Sequence, residues 1–198
     1  MGILDALLGR TKPAKPDLDR LFGLPGARIT LQASEGLEPT GHAAVCFKPA
    51  VGSAFADAET ELATLLSLDG AKADGTGGAT TTLREADEFG YRWVVVSSAD
   101  FDDLVNRVHL VNTTLQDHGW GPQLLCSVFA FKQAAGTAGP PVYLVYLYKR
   151  GSFYPFVPIG AERRDNEAEL RLKNELGEDL AIEKELDRWF PIWNLPIA

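Results

Sequence analysis

The sequence predicts an α+β domain in which a mostly antiparallel sheet carries its helices on one face. Strand-like segments follow one another along the chain and are mostly joined by short turns, which favours antiparallel pairing. An amphipathic helix at Asp100–His118 separates two groups of strands, and such a helix buries its apolar stripe against a sheet. The chain has 198 residues, of which 45% are hydrophobic, so one domain can bury a sizeable core.

The residues before this helix predict alternating helices and strands. Periodic apolar residues and capping side chains place the helices, whereas apolar and β-branched runs between turn residues place the strands. In chain order, the predicted elements are a short helix capped by Asp17 and ended by Gly23, strands at Ala27–Gln32 and His42–Lys48, a helix capped by Ser53, a flexible loop at Asp69–Ala79, and a hairpin at Thr80–Ser98 that turns near Glu88–Gly90.

The helix at Asp100–His118 has the clearest helical pattern of the chain. Asp100 is expected to cap its first turn, and Gly119 is expected to end it. Seven residues at helical spacing form its inner face: Phe101, Leu104, Val105, Val108, Val111, Asn112 and Leu115. We expect this face to pack on the sheet.

Three strands are predicted after this helix. Gln123–Lys132 is apolar on both faces, which is typical of a strand at the centre of a sheet. Val142–Lys149 follows, and Phe153–Ile159 returns beside it after a tight turn. Pro155 confines that last strand to an edge because proline has no backbone donor. A helix then begins near Asp165, and a last short helix follows it.

The first residues of the chain are predicted to form an appendage. Four aliphatic side chains share one face of a short helix: Ile3, Leu4, Leu7 and Leu8. The stretch TKPAKPD that follows is typical of an extended linker. We therefore divide the chain into an N-terminal amphipathic segment with its Pro/Lys linker at residues 1–16 and a single α+β domain at residues 17–198.

Composition and motifs favour neither catalysis nor a metal or cofactor site. The net charge of −8 repels phosphate backbones, which argues against a nucleic-acid partner. None of the three histidines stands at metal-ligand spacing, and Asp100, Asp102 and Asp103 are explained by helix capping. Cys46 and Cys126 lie in apolar strand-like runs and are interpreted as buried reduced thiols of a cytoplasmic protein, with a disulfide as the alternative.

Aromatic residues and cations are concentrated between residues 142 and 164, and they form a candidate interaction surface. Its members are Tyr148, Lys149, Arg150, Phe153, Tyr154, Phe156, Arg163 and Arg164. One interpretation is a patch for a protein partner, because aromatic and arginine side chains dominate the energetics of interfaces. A second is an anion or small-molecule site in which Arg150, Arg163 and Arg164 hold a carboxylate or phosphate. The structural alternative is a sheet with half-buried aromatics whose arginines pair with the acidic last helices.

The position of Arg163 and Arg164 in the sequence predicts what these two side chains contact. Arg163 and Arg164 precede the acidic start of a helix, where cations oppose the helix dipole. Local helix electrostatics therefore do not explain them. We expect at least one of the two to contact a carboxylate of the C-terminal segment or to face the turn at Lys149–Arg150.

Several stretches together resemble the PspA-associated protein PspAB family of bacteria and archaea. They are MGILDALLGR…KPDLDRLF, AVCF, YRWVVV, LLCSVFAF, LVYLYKRGSFYPF, ERRDNEAEL and LDRWFPIW. The resemblance implies a link to the phage-shock response, in which PspA supports a stressed cytoplasmic membrane. PspA or another phage-shock component is then the expected protein partner. An HtpX-type membrane metalloprotease is a further candidate, because genes of the family often lie near one. The resemblance supplies no active-site residues.

More remotely, the order of elements is similar to the YbjN and type III secretion chaperone-like fold. That fold binds helical or extended partner segments, often as a dimer, and the comparison is one of topology. Together these resemblances predict a non-enzymatic binding or adaptor protein of the PspA membrane-stress response, as a monomer or a homodimer. It is expected in the cytoplasm or peripherally at the inner face of the membrane. The alternative is an anion- or small-molecule-binding regulatory domain.

Deleting residues 1–12 tests whether the N-terminal segment recruits the protein to a membrane or a partner. An isolated helix of about ten residues is marginal in water, so its aliphatic face has to dock on another surface. Arg10, Lys12 and Lys15 follow that face and would meet anionic headgroups. We expect the deletion to leave the melting temperature nearly unchanged and to weaken co-sedimentation with anionic vesicles or capture by the partner. Unfolding of the domain, or dissociation of a dimer, would show that the segment is structural instead.

Overall fold

The computed structural model describes residues 16–48, 64, 80–84 and 90–197. Within these residues the helices are α1 (Leu24–Glu35), α2 (Phe101–Leu115) and α3 (Asn166–Glu175), and the strands are β1 (Leu37–Phe47), β2 (Thr80–Arg84), β3 (Arg92–Ser97), β4 (Leu124–Gln133), β5 (Val142–Leu147) and β6 (Ser152–Phe156). The helix predicted after Ser53, the loop predicted at Asp69–Ala79 and the aliphatic segment at residues 1–15 lie outside the described residues.

The six strands form one sheet in the order β2-β3-β1-β4-β5-β6, and neighbouring strands pair antiparallel. β4 lies between β1 and β5, near the centre of the sheet, as its two apolar faces predict. β6 lies at an edge, in agreement with the position of Pro155. The predicted α+β class is therefore confirmed, together with the predicted pairing of β2 and β3.

The capped helix α2 carries the predicted inner face. The Asp100 side chain accepts hydrogen bonds from the backbone amides of Asp102 and Asp103, at 2.8 and 3.2 Å, and so satisfies two donors of the first turn. All seven residues of the inner face are buried. The polar one, Asn112, donates through Nδ2 to the backbone oxygen of Val108 and to Ser127 Oγ of β4. This amide therefore ties the helix to the middle of the sheet.

The strand predicted at Ala27–Gln32 is wrong, because this segment belongs to helix α1. Ile29 and Thr30 suggested a strand, but the buried residues are Leu24, Ala27 and Leu31, which share one face of a helix. Pro25 stands in the first turn, where a missing amide costs nothing. The short helix predicted before it is a 3₁₀ helix at Leu18–Gly23, which ends at Gly23 as predicted and leads directly into α1. The Asp17 side chain accepts no capping hydrogen bond there.

The sheet is buried on both faces, and different parts of the chain cover them. Among the described residues, the helices α1, α2 and α3 pack on one face, which we call the helix face, through residues such as Leu31, Leu104 and Leu172. The opposite side, which we call the second face, is covered by the chain after residue 188. Trp189 and Ile197 of that segment belong to a separate apolar core there. The helices therefore lie on one side of the sheet, as predicted, while extended chain covers the other.

The edge of β6 is covered by the chain's own C-terminal part. Ile182 forms a parallel bridge with Phe153. The amide of Phe153 donates to the backbone oxygen of Ala181 at 2.9 Å, and the amide of Glu183 donates to the backbone oxygen of Phe153 at 2.7 Å. The segment Ala181–Glu183 thus occupies polar groups of an edge that could otherwise pair with another chain.

Replacing Leu104 by alanine tests the packing of α2 on the sheet. Leu104 is 1% exposed, and deleting a buried leucine side chain leaves a cavity that costs about 2–5 kcal/mol. We expect Leu104→Ala to lower the free energy of unfolding by that amount, as measured by urea denaturation. Leu110→Ala is the matched control, because Leu110 lies on the same helix and is 44% exposed. Equal losses for both variants would mean that the buried face of the helix has been assigned incorrectly.

Candidate binding groove

The aromatic members of the predicted interaction surface are core residues. Tyr148, Phe153, Tyr154 and Phe156 are each at most 2% exposed. Tyr148 and Phe153 belong to the core on the helix face, whereas Tyr154 and Phe156 belong to the core on the second face. The helix-face core encloses Tyr148 and Phe153, and the core that includes Trp189 encloses Tyr154 and Phe156. These four side chains therefore do not form an exposed docking patch.

Arg150 is bound to two carboxylates of the C-terminal part. Its Nη2 donates to Glu183 Oε1 at 3.1 Å and to Glu185 Oε1 at 3.0 Å, and its Nε donates to Glu183 Oε2. Ser152 Oγ also donates to Glu183 Oε2, at 2.7 Å. Glu183 itself is buried. This carboxylate therefore fastens the C-terminal part of the chain to the turn between β5 and β6.

The buried carboxylate of Glu183 is held in its ionised form. Burial by itself raises the pKa of Glu183, but hydrogen bonds from Arg150, from the Glu185 amide and from Ser152 outweigh burial and lower the pKa to about 2. The hydrogen bond to Glu183 in turn raises the pKa of Arg150 above its ordinary value. The charges of this pair consequently stabilise each other.

Arg164 forms a second ion pair, beyond the C-terminal end of β6. Its guanidinium lies 2.7 Å from Glu169 Oε2 through Nη2, and its Nε donates to the same oxygen at 2.8 Å. Its Nη1 donates to the backbone oxygen of Trp189, and its guanidinium carbon lies 5.5 Å from the centre of the Phe156 ring. Glu169 Oε1 also accepts the amide of Val157 at 2.9 Å. Arg164 thus joins β6, α3 and the C-terminal segment.

The cations of the candidate surface do not converge on one anion site. Arg150 forms an ion pair with Glu183, and Arg164 forms an ion pair with Glu169. Lys149 and Arg163 are exposed. Arg164 contacts the carboxylate of Glu169 in α3 rather than a carboxylate of the segment after residue 188, which it reaches through the backbone oxygen of Trp189. An anion that bound to Arg150 or Arg164 would have to displace these carboxylates. The arrangement therefore favours the interpretation in which both arginines stabilise the fold.

The ion pairs of Arg150 and Arg164 hold the apolar segment at residues 189–193 over the second face. Trp189 donates from Nε1 to the backbone oxygen of Glu183 at 3.1 Å and stacks on Tyr154 at 5.9 Å between ring centres. Tyr154 Oη donates to the backbone oxygen of Phe190 at 2.7 Å. Further along, the Trp193 ring meets the edge of Phe156 at 5.2 Å. The path of residues 189–193 is therefore set by aromatic contacts with β6.

An apolar groove remains between this segment and the sheet, with a volume of about 620 Å³. Its floor is a row of directly opposed residues on four neighbouring strands, namely Trp93, Cys46, Cys126 and Leu147. Its walls are formed by Tyr91, Leu125, Tyr154, Phe190, Pro191, Ile192 and Trp193. Phe190 is 61% exposed. A large aromatic side chain therefore stands at the open rim.

The groove can bind apolar groups, and its polar atoms are few. The hydroxyl of Tyr154 is already used by the Phe190 backbone, and burial raises the pKa of Tyr154 well above its ordinary value, so the hydroxyl stays protonated. Lys48 Nζ lies 5.9 Å from the centre of the Tyr91 ring and places a positive charge beside one wall. Among the described residues, no cluster of three His, Cys, Asp or Glu side chains could hold a metal ion.

Comparison with known proteins gives the family directly. The sequence model of the family described as PspA associated protein B matches residues 1–197. The chain belongs to the PspA associated protein B family. No curated protein matches the chain, and no solved structure does. The comparison with the YbjN and secretion-chaperone fold accordingly stays a prediction.

Membership of the PspA associated protein B family associates the chain with the PspA system. The description of the family names an association with PspA and no reaction. Within the part of the chain that the structure describes, no helix is both long enough and apolar enough to cross a bilayer.

The groove was missed at the sequence level for a physical reason. Its floor comes from four strands that are far apart in the chain, and its walls come from the segment FPIW at residues 190–193. The available signals were two cysteines in apolar strands, Trp93 in RWVVV, and an apolar segment interrupted by prolines after the last helix. None of these signals has the regular spacing from which a binding site can be assigned.

Replacing Glu183 by glutamine tests the charge that fastens the C-terminal part. The folded-state pKa of about 2 lies below the ordinary value of 4.5, so the ionised carboxylate stabilises the fold above that ordinary value. This contribution is lost as the pH falls towards 2. We expect Glu183→Gln to be destabilised at neutral pH, and its difference from the wild type to shrink on acidification.

Urea denaturation at a series of pH values measures this difference in the free energy of unfolding. Glu178→Gln is the control, because Glu178 is an exposed glutamate in the same part of the chain. It is expected to differ little from the wild type at neutral pH. A constant difference between Glu183→Gln and the wild type across the whole pH range would contradict the assigned role of the Glu183 charge.

Proposed function

We propose that this chain is a non-enzymatic binding protein of the PspA system that holds apolar side chains of PspA in the groove on the second face. The observation that carries the proposal is the groove itself. Its floor and walls are apolar, and Phe190 stands exposed at its rim. Exposed aromatic side chains beside an apolar pocket are typical of the centre of a protein interface.

The chemistry of the lining supports binding rather than catalysis. The titratable groups among the lining residues are the thiols of Cys46 and Cys126 and the hydroxyls of Tyr91 and Tyr154. An acid–base pair needs groups whose pKa values lie near the working pH, whereas the pKa of Tyr154 is raised well above its ordinary value by burial. The alternative of an anion-binding regulator is supported less, since Arg150 and Arg164 are occupied by internal carboxylates.

The size of the groove limits what can enter it. A volume of about 620 Å³ lies within the range of about 300–1,000 Å³ that is usual for pockets holding drug-sized molecules. It therefore accepts a few large side chains and not an entire helix. A partner helix that presents apolar residues three and four positions apart along one face would fit this requirement. PspA is the occupant to which the family description points.

Recruitment to a membrane is a separate proposal for the N-terminal segment. It concerns Ile3, Leu4, Leu7 and Leu8 and is supported by the amphipathic pattern of that segment and the cations that follow it. A cytoplasmic protein held at the inner face of the membrane would agree with an association with PspA. The proposal that an HtpX-type protease is a partner rests only on the resemblance to the family. The proposal of a homodimer rests only on the resemblance to the secretion-chaperone fold.

Replacing Phe190 by serine tests the groove as the site for PspA. The side chain is 61% exposed, so its loss should leave stability nearly unchanged. The hydrogen bond from Tyr154 is made by the Phe190 backbone and is retained. We expect the affinity of the purified protein for purified PspA, measured by isothermal titration calorimetry, to fall at least about tenfold, which corresponds to about 1.4 kcal/mol.

Ile29→Ser is the matched control for this experiment. Ile29 is 63% exposed and lies on α1, which packs on the helix face. Serine and isoleucine have similar helix propensities, so this variant removes an equally exposed apolar side chain on the other side of the sheet. Equal affinities for Phe190→Ser and the wild type would exclude the groove as the site. Equal losses in both variants would indicate a nonspecific effect of surface hydrophobicity.

A further inference from the structure

Cys46 and Cys126 face each other in the floor of the groove. They are directly opposed on the neighbouring antiparallel strands β1 and β4. Both side chains belong to the core on the second face, so they point to the same side of the sheet. Both residues are thiols in this structure. Two cysteines have therefore been brought together by strands that are joined through a long intervening stretch of chain.

The spacing of an antiparallel pair is close to the spacing of a disulfide. Directly opposed residues have Cα atoms about 4.5–5.5 Å apart and Cβ atoms about 4.5–5.5 Å apart. A disulfide has Cα atoms about 4.4–6.8 Å apart and Cβ atoms about 3.5–4.5 Å apart. Formation of a disulfide therefore requires the two Cβ atoms to approach each other by about an ångström or less, and the strands can keep their pairing.

The groove gives a small oxidant a route to the pair. Both cysteines line the groove, and they are 4% and 8% exposed, Cys126 being the more accessible. Their neighbours in the floor, Trp93 and Leu147, are apolar. A small uncharged molecule such as a hydroperoxide can enter such a space more easily than a large or charged reagent.

We propose that Cys46 and Cys126 form a reversible modification site, at which a hydroperoxide converts the two thiols into a disulfide that links β1 to β4. In the first step, the Cys126 sulfur attacks the peroxide oxygen and the O–O bond breaks, so that Cys126 becomes a sulfenic acid. The thiol proton passes to the leaving oxygen, which departs as water when the oxidant is hydrogen peroxide and as an alcohol when it is an organic hydroperoxide. In the second step, the Cys46 sulfur attacks the Cys126 sulfur and the S–O bond breaks, which releases a water molecule. Two thiols are oxidised, and one hydroperoxide is reduced.

The pairing of the two cysteines does not rest on the proposed function, because it is set by the register of β1 and β4. The linkage would nevertheless change the floor of the groove, since two adjacent side chains would be joined into one rigid bridge. A thiol reductant would restore the two thiols by exchange at the bridge. The pair therefore has the chemistry of a reversible peroxide-responsive site.

Mass spectrometry of the native full-length protein tests this inference. The reduced wild type is treated with excess hydrogen peroxide, the peroxide is removed, and remaining thiols are alkylated after denaturation. We expect a monomer that has lost the mass of two hydrogen atoms and takes up no alkyl group. Digestion without reductant should yield the peptides of Cys46 and Cys126 joined together, and dithiothreitol should separate them.

The variants Cys46→Ala and Cys126→Ala are the controls, because neither can form the intramolecular bridge. Each is expected to gain oxygen or an alkyl group at its remaining cysteine. The inference is overturned if the wild type keeps two alkylatable thiols under these conditions. It is equally overturned if both cysteines gain oxygen separately, or if the disulfide joins two chains. The outcomes that overturn the inference are all measured on the wild type, so the test stands even if a variant folds poorly.

Discussion

The rest of the structure depends on two buried carboxylates that hold arginines beside β6. Glu183 binds Arg150 before the strand, and Glu169 binds Arg164 after it. Removing either arginine would leave a buried carboxylate without the charge that compensates it, which is destabilising. These pairs fix the chain on both sides of α3, and the position of the extended segment from Trp189 onwards follows from them. Without that segment, the aromatic side chains of Tyr154 and Phe156 would face water.

The groove is the part of the second face that this segment leaves uncovered. A sheet with helices on one side has two options for its other side, namely a polar surface or an additional layer. This chain uses a layer of extended chain, which is narrower than the sheet beneath it. The uncovered strip therefore runs across β3, β1, β4 and β5 and keeps the apolar side chains of a core. An exposed apolar strip of this kind is suited to a protein partner.

Local patterns predicted those features that depend on neighbouring residues. The stripe of α2, its Asp100 cap, the central position of β4 and the edge position given by Pro155 all follow from periodicity or from a single backbone property. The helix α1 was assigned incorrectly because Ile29 and Thr30 favour strands intrinsically, whereas the packing of Leu24, Ala27 and Leu31 favours a helix. Tertiary contacts overrode intrinsic propensity at that point.

The candidate site was harder to predict, because its components become neighbours only in the folded chain. The concentration of tyrosines, phenylalanines and arginines around β5 and β6 was recognised, but sequence alternation cannot show whether a second layer covers a strand. Arg150 and Arg164 are paired with carboxylates of the same chain, whereas Arg163 is exposed. The opposed cysteines depend on the register between β1 and β4, which the sequence of either strand alone does not determine.

The parallel bridge between Phe153 and Ile182 has a consequence for the order of folding. It is the end of a β–α–β connection, since the chain leaves β6, passes through α3 and returns beside the same strand. A connection of this kind closes only when its helix has docked, whereas the hairpins of the main sheet form from local turns. The extended layer, which follows this connection along the chain, should consequently assemble after the hairpins β4–β5 and β5–β6. Hydrogen exchange would then be faster in the layer that forms the wall of the groove than in the sheet beneath it.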